Sequence, residues 1–384
     1  MDFSFSEEQE ILRAAVVKFM KRECPREYTR RCDEEKIPPL DLFKKIGELG
    51  WLGLAIPEEY GGSGGSVVDL AILLEETARV SIALSDLIYR ARVHGGMNIQ
   101  NCGTEEQKRE LLPGIASGNL IFCIGLTEPN AGSDAASLIT SAVPDGDDYI
   151  INGRKIFTTN IHIADYCLLY ARTDSNAPKH QGITAFLVNT KSPGVTIDPI
   201  NTLGMRATVT NEVVYDNVKV PQKNILGKLN EGWSISSTQL GAERFGLAAM
   251  CTGAAQSVLD DALQYAKDRV QFGRPISKFQ AISHKLADMQ AEVDISRLLT
   301  CRLAWMADHG TSNLKTAAIT KLYTSEAYKH VSDLGMQILG GYGYIFVVLP
   351  QVGICDGTSI LMSDNDPVLI KVHSRKGSPC SAGD

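Results

Sequence analysis

Residues 123–160 read CIGLTEPNAGSDAASLITSAVPDGDDYIINGRKIFTTN, and the character of the chain changes on either side of them. The first part, Leu126 to Asp134, is made of turn formers, hydroxyls and small side chains. A loop of that kind brings backbone N–H groups close to a flat polar cofactor or a phosphate. The remainder alternates as a strand, with Tyr149, Ile151 and Ile156 on the apolar side and a turn at Asp145-Gly146-Asp147. Asn152-Gly153 adds a hairpin signal. Phe157-Thr158-Thr159-Asn160 then sets an aromatic beside small hydroxyls. By itself the pattern describes a β-hairpin with a polar entry loop.

Towards the N-terminus the period is helical. Ser6 is placed to cap a helix over 6–22, with Gln9 completing a capping box. Further helices are expected over Leu40–Leu49, stopped by Gly50, and over Val67–Val80, Leu84–Gln100 and Glu105–Ala116, with a turn at 55–62. Towards the C-terminus, runs at Asp165–Ala171, Gly182–Val188, Val195–Pro199 and Glu212–Val218 alternate as strands, with Ser192-Pro193-Gly194 as a turn. Four long helices follow, over Ser234–Met250, Thr252–Asp268, Ser277–Gly310 and Thr316–Leu339, the pattern of a bundle. The fold class is therefore α+β. It comprises an N-terminal α-helical domain (1–121), a β-barrel-like middle domain (122–229) and a C-terminal four-helix bundle (230–384).

The chain has 384 residues and a net charge of −7 with both signs interspersed. No basic stripe suggests nucleic acid and no apolar run is long enough to span a membrane. The nine cysteines form no C-x-x-C pair, which reads as a reduced compartment without a zinc or other metal site. The N-terminus has neither a signal-peptide core nor an Arg-rich presequence. A cytoplasmic protein is expected, or one of the mitochondrial matrix if a presequence has been trimmed.

T-E-P-x-A-G-S-D followed by N-G-x-K-x-x-x-T-N resembles the acyl-CoA dehydrogenase family, whose α, β, α order is the order seen here. The resemblance covers about residues 1–344. It implies FAD as cofactor and α,β-dehydrogenation of an acyl-CoA thioester. It further implies electron transfer to an electron-transferring flavoprotein and a homo-oligomer, a tetramer in this family. Leu126, Thr127, Phe157 and Thr159 would meet the flavin, and Ser133 the thioester arm; Phe157 stands where the family usually has Trp. Glu243-Arg244 resembles the isovaleryl- and long-chain-type branch, in which the Glu is the catalytic base and the Arg lies near the acyl-CoA. On residue type alone it is an ordinary solvated ion pair.

Arg269-Val270-Gln271-Phe272-Gly273 resembles R-x-x-F-G, so Arg269, Phe272 and Gln280 would reach the FAD of a neighbouring subunit. An Arg fork suits a pyrophosphate. A helix end stopped by Gly273 and Pro275 explains the same residues. Gln337, Gly340 and Gly341 match the family's third FAD contact, although a helix C-cap also accounts for Gly340.

After Tyr344 the resemblance weakens, through divergence or a change of reading frame. The family's Arg-Asp is missing, and Asp356-Gly357-Thr358 comes early. If it is the counterpart, Thr358 would touch the flavin and the residue 356 N–H the thioester carbonyl. Asp356 also keeps a rival reading open, a same-fold flavin oxidase or monooxygenase with an Asp base. The altered tail supports another, a catalytically silent FAD-binding member. In the family the helix around Leu84–Gly96 lines the acyl pocket. Here it carries Asp86, Arg90, Arg92 and His94, whose polarity favours solvent or a subunit boundary. An inward Arg would suit a dicarboxylyl-CoA, and an inward Asp86 a second proton acceptor.

Overall fold

The computed structural model describes residues 4–344, and for 237–243 the helical backbone alone. Asp356, Thr358 and the Glu243 side chain lie outside the described residues.

Helix α1 (Glu7–Glu23) begins at the expected capping box: Ser6 Oγ accepts from the Gln9 N–H and the Gln9 side chain accepts from the Ser6 N–H. Helix α2 (Arg26–Glu35) carries no apolar period, because it buries only Thr29 and Cys32. Helix α3 (Leu40–Glu48) stops before Gly50, whose φ of 77° fits the left-handed turn. Helix α4 (Val67–Ala78) is capped by Ser66 and almost wholly buried. Helix α5 (Ile82–Tyr89) runs into a π-helical segment, Arg90–Met97, and then α6 (Asn98–Cys102). Helix α7 (Glu105–Ala116) has its capping box at Thr104 and Gln107.

Strands β1 (Phe122–Gly125), β2 (Ser141–Asp145), β3 (Asp148–Thr159), β4 (Tyr166–Arg172), β5 (Ile183–Asn189), β6 (Val195–Pro199), β7 (Thr210–Pro221) and β8 (Ile225–Leu226) form one sheet. Its order is β6-β7-β3-β2-β4-β5-β8, with β1 parallel to β4. Strands β4 and β5 are buried on both faces, as their unbroken apolar runs require. The β2–β3 turn falls at Gly146-Asp147 as expected. The Asn152-Gly153 signal is not a turn: it lies inside β3 at a register shift against β7. Glycine is needed there because a Cβ would stand 2.4 Å from Thr140 Oγ1, while the Asn152 side chain bonds Asn217.

Helix α8 (Gly232–Asp268) is one 37-residue helix, so the expected break at Cys251 does not occur. Thr252 Oγ1 donates back to the Ala248 carbonyl at 2.8 Å. Gly253 admits a neighbour rather than a turn, since a Cβ there would meet Glu75 O of α4 at 2.0 Å. A short hairpin, β9 (Val270–Gln271) and β10 (Arg274–Pro275), precedes α9 (Gln280–Asp308) and α10 (Leu314–Leu339). Among the described residues the C-terminal part thus holds three long helices. The fourth member packed beside α8 and α9 is α4.

That joint is tied by charge. Asp308 of α9 accepts from the Val67 N–H at 2.6 Å, Arg297 pairs with Glu75 at 2.7 Å, and Arg13 of α1 pairs with Glu76 at 2.7 Å. The β sheet is tied in turn: Gln107 Nε2 donates to the carbonyls of Lys223 and Ile225. One apolar core runs through all three parts. Among the described residues no helix is long and apolar enough to cross a membrane.

Candidate active site

The loop after β1 is fixed by a buried ion pair. Residues Glu128 and Ala131 exchange backbone hydrogen bonds around Pro129-Asn130, closing a tight turn. The Glu128 carboxylate, inside the protein, accepts from the N–H groups of Ile139 and Thr140 and from Lys155 Nζ at 2.8 Å. Lys155 Nζ donates also to the Leu126 carbonyl at 3.0 Å, and the Ile156 N–H to that of Thr127 at 2.9 Å. Burial pushes the Glu128 carboxyl up, but Lys155 and the two N–H groups outweigh it and hold it below the ordinary 4.5. Burial likewise pushes the Lys155 ammonium down to about 8 against the pull of Glu128. Both groups stay charged at neutral pH. Leu126 and Thr127 are in this way stapled to β3 across about thirty residues of sequence.

On β3 the register against β7 shifts again between Lys155 and Thr158. Such a bulge re-aims a side chain. Phe157 sits there with φ 59°, a left-handed conformation unusual for an aromatic. Its ring is 62% exposed, while Thr158 and Asn160 are buried. Thr159 Oγ1 lies 3.3 Å from Thr210 Oγ1. A flat aromatic face held out beside a pinned loop suits a flat heteroaromatic partner such as the isoalloxazine of FAD. Ser133 is exposed on the same loop, next to Asp134, which pairs with Lys179 at 2.5 Å.

Asn160 reaches further than its sequence position suggests. Its Nδ2 donates to Asp86 Oδ2 at 2.9 Å, and Arg90 Nε donates to the same oxygen at 2.7 Å. Asp86, Arg92 and His94 are buried and the Arg90 side chain is only 11% exposed. The expectation that these four face solvent or a boundary is therefore wrong. Arg90 is paired with Asp86 and Tyr89 stacks edge-on to His94, whereas Arg92 donates only through Nη2, to the Leu54 carbonyl, and its buried Nε and Nη1 have no partner among the described residues. Helix α8 packs on the same helix at Tyr89. A Cβ on Gly246 would lie 2.6 Å from the Tyr89 ring, so α5 and α8 approach closely within one turn of Glu243-Arg244. Arg244 is buried, so the reading of this dipeptide as a solvated surface pair does not hold for the Arg.

A second group of candidates gathers elsewhere. Arg269 follows α8 directly and opens a hairpin whose two turn residues, Phe272 and Gly273, have φ 50° and 78°. The helix thus ends at Asp268, and Gly273 serves the hairpin rather than the helix stop. Phe272 is 92% exposed at the tip. Arg269 lies over the Tyr342 ring at 5.8 Å, and with Gly340 and Gly341 it lines an open cleft of 460 Å³. Gly340 caps α10 with φ 58°. Gln337 is exposed one turn earlier on α10, and Gln280 is exposed at the start of α9.

Three domains of the acyl-CoA dehydrogenases match this chain: the N-terminal domain over residues 6–119, the middle domain over 123–218 and the C-terminal domain over 230–356. The chain belongs to the acyl-CoA dehydrogenase family and is an FAD-dependent oxidoreductase of that kind. A probable acyl-CoA dehydrogenase of Bacillus subtilis is 41% identical over 347 residues, 90% of this chain and 91% of that one. A caffeyl-CoA reductase–Etf complex subunit of Acetobacterium woodii is 37% identical over 342 residues, 89% of this chain and 90% of that one. A glutaryl-CoA dehydrogenase of Mycobacterium smegmatis in complex with FADH2 superposes with a TM-score of 0.88 at 30% identity, covering 96% of this chain and 94% of that one.

Proposed function

We propose that this acyl-CoA dehydrogenase takes two hydrogens from neighbouring carbons of the thioester to give the 2-enoyl-CoA. Glu243 acts as the base, and the electrons pass to an electron-transferring flavoprotein. The observation that carries the reading is the helical run through Asp86, Tyr89 and Arg90. Asn160, just beyond Phe157 and Thr159, bonds it at Asp86, and Gly246, three residues past Glu243, packs on it at Tyr89. One scaffold therefore holds the segment offered to the flavin and the helix that carries the base, which is what a reaction between two faces of a carbon chain requires.

FAD, when bound, supplies the acceptor for the β-hydrogen as hydride. Leu126, Thr127, Phe157 and Thr159 orient its ring, Ser133 and Arg244 hold the acyl-CoA, and the Glu243 carboxylate takes the α-proton. Arg269, Phe272, Gln280, Gln337, Gly340 and Gly341 serve the FAD of a neighbouring subunit in a homotetramer. The exposed Phe272 and the open cleft at Arg269 support that assignment. The Etf complex named for the Acetobacterium woodii relative supports the electron acceptor.

Anaerobic single-turnover bleaching of the bound flavin tests the reading. Wild-type protein is expected to bleach with acyl-CoA, and Glu243→Gln to lose bleaching while still binding FAD and acyl-CoA. Asp356→Asn should slow the reaction far less. A dead Asp356→Asn beside an active Glu243→Gln would move the base to Asp356 and favour the oxidase reading. No bleaching with any acyl-CoA would favour a silent FAD-binding member.

A further inference from the structure

The ammonium of Lys155 is buried where a neutral group could have held the loop. Its Nζ donates to Glu128 Oε1 at 2.8 Å and to the Leu126 carbonyl at 3.0 Å. The carboxylate also accepts from the N–H groups of Ile139 and Thr140, which share its charge, whereas the Leu126 carbonyl meets the ammonium directly. Closing the loop needs no cation. The Ile156 N–H already ties the Thr127 carbonyl to β3 at 2.9 Å, and Glu128 and Ala131 close the turn. A buried ion pair is often no more stabilising than apolar residues of the same volume. The charge therefore calls for a reason beyond packing.

The peptide unit that it grips supplies one. The Leu126 carbonyl and the Thr127 N–H belong to the same planar unit, which is trans. That N–H points to the side of the loop opposite Lys155. A cation on the carbonyl end polarises the unit and makes its N–H a stronger donor, the more so where water is excluded. Reduction loads electrons onto an isoalloxazine ring, and a stronger donor at its edge favours the electron-richer form.

We propose that Lys155 tunes the flavin: by polarising the Leu126–Thr127 peptide it draws the bound FAD towards its reduced state. The proposal rests on the reading that Leu126 and Thr127 meet the flavin ring, and it gives the buried pair behind them a part in the reaction. Lys155 acts through those two residues and is a positioning residue. Burial brings its ammonium down to about 8 against the pull of Glu128, so the tuning is lost on the alkaline side. The Cys167 thiol of β4 faces it across Gly125, where a Cβ would lie 3.0 Å from Cys167 Sγ and 3.7 Å from Lys155 Cγ. Beside Cys167 stand its register partner Cys123 on β1 and the Tyr215 hydroxyl of β7, 3.6 Å from its Sγ. Burial pushes Cys123 and Tyr215 well up, whereas Cys123, then Tyr215 and Lys155, outweigh burial at Cys167 and hold it below an ordinary thiol.

The midpoint potential of the FAD-loaded protein, read anaerobically against a reference dye from about pH 6.5 to about pH 9.5, tests this. Wild type is compared with Lys155→Met/Glu128→Gln, which removes both charges and strands neither. Below about pH 8 wild type is expected to favour the reduced flavin about tenfold more than the double variant, about 30 mV for two electrons. By linkage the same tenfold raises the Lys155 pKa by about one unit on reduction. The advantage is complete below the pKa of the oxidised protein and gone above that of the reduced one, so it should disappear between about pH 8 and about pH 9. Lys155→Arg keeps a cation that does not titrate there and should hold the advantage throughout. It carries the test if the double variant does not fold. In Cys167→Ala the alkaline loss should remain. The proposal is overturned if wild type and double variant share one potential, if their difference does not change with pH, or if Cys167→Ala abolishes the alkaline loss. The FAD affinity of Thr127→Ala separates the two claims. A fall of about tenfold without tuning by Lys155 sinks the tuning alone, whereas unchanged affinity takes Thr127 out of the flavin site and the tuning with it.

Discussion

The loop–strand staple around Glu128 and the hairpin around Arg269 are both candidate flavin contacts, and they are built in opposite ways. The first is closed: Lys155 and Glu128 are 0% and 4% exposed, and every carboxylate contact is made inside one chain. The second is open: Phe272 is 92% exposed, and the Arg269 guanidinium lies over Tyr342 at the edge of a cleft. A region that satisfies itself shapes the fold, whereas one that leaves an aromatic and a cation outward awaits something else. Substitutions in the first should damage stability and FAD together, and those in the second FAD alone.

The sharpest way to break this contrast is Lys155→Met. It strands the Glu128 carboxylate in the interior, which typically costs about 3–5 kcal/mol. Denaturant unfolding should register a loss of that order together with loss of bound FAD. A variant of unchanged stability would mean that the staple does not hold the loop.

Arg269→Ala probes the open region. FAD affinity is expected to fall about tenfold to a hundredfold, as when a phosphate loses a charge-assisted partner. The melting temperature of the FAD-free protein should barely move, because exposed side chains contribute little to folding. Wild-type FAD affinity in this variant would remove Arg269 from the site.

A smaller effect comes from pH. The Glu128 carboxyl sits below 4.5 in the fold, so its stabilising contribution is complete above that value and is lost as pH falls through the folded pKa. Stability measured from about pH 6 to about pH 3 should therefore drop less steeply in Glu128→Gln than in wild type. Parallel curves would show that this carboxylate is not linked to folding.

The elements that read correctly from sequence carry their own local signals. Ser6 with Gln9 is a capping box written within four residues, and it is found as written. The strand runs of the middle region became β4 to β7, although β4 and β5 are buried on both faces rather than alternating. What misled was glycine. Gly153 looks like a turn, yet it lies inside β3 because the Thr140 side chain presses against it. The site divides similarly. Arg269, Gly340 and Gly341 were legible as motif residues and do share a cleft. The Asp86–Asn160 contact spans 74 residues, and no periodicity signals it. Glu128 and Lys155 stood in the quoted motifs, but their pairing rests on a loop folding back on β3. A buried charge of each sign in two adjoining motifs is the signal that could have found it.

The π-helical segment Arg90–Met97 has a bearing on how the surroundings of Asp86 can change over time. A π turn is in effect a single-residue insertion in an α-helix, and each residue of an α-helix turns the chain by about 100°. Deleting one residue there would rotate everything downstream by that angle relative to Asp86, without altering a side chain. Asn98, whose amide holds the carbonyls of Val93 and His94, would be carried off them. Descendants of this chain could thus re-aim the buried side chains of this segment by losing a codon as readily as by exchanging one. Gains and losses of single residues between 90 and 97 are the changes to watch when related chains are sorted by what they accept.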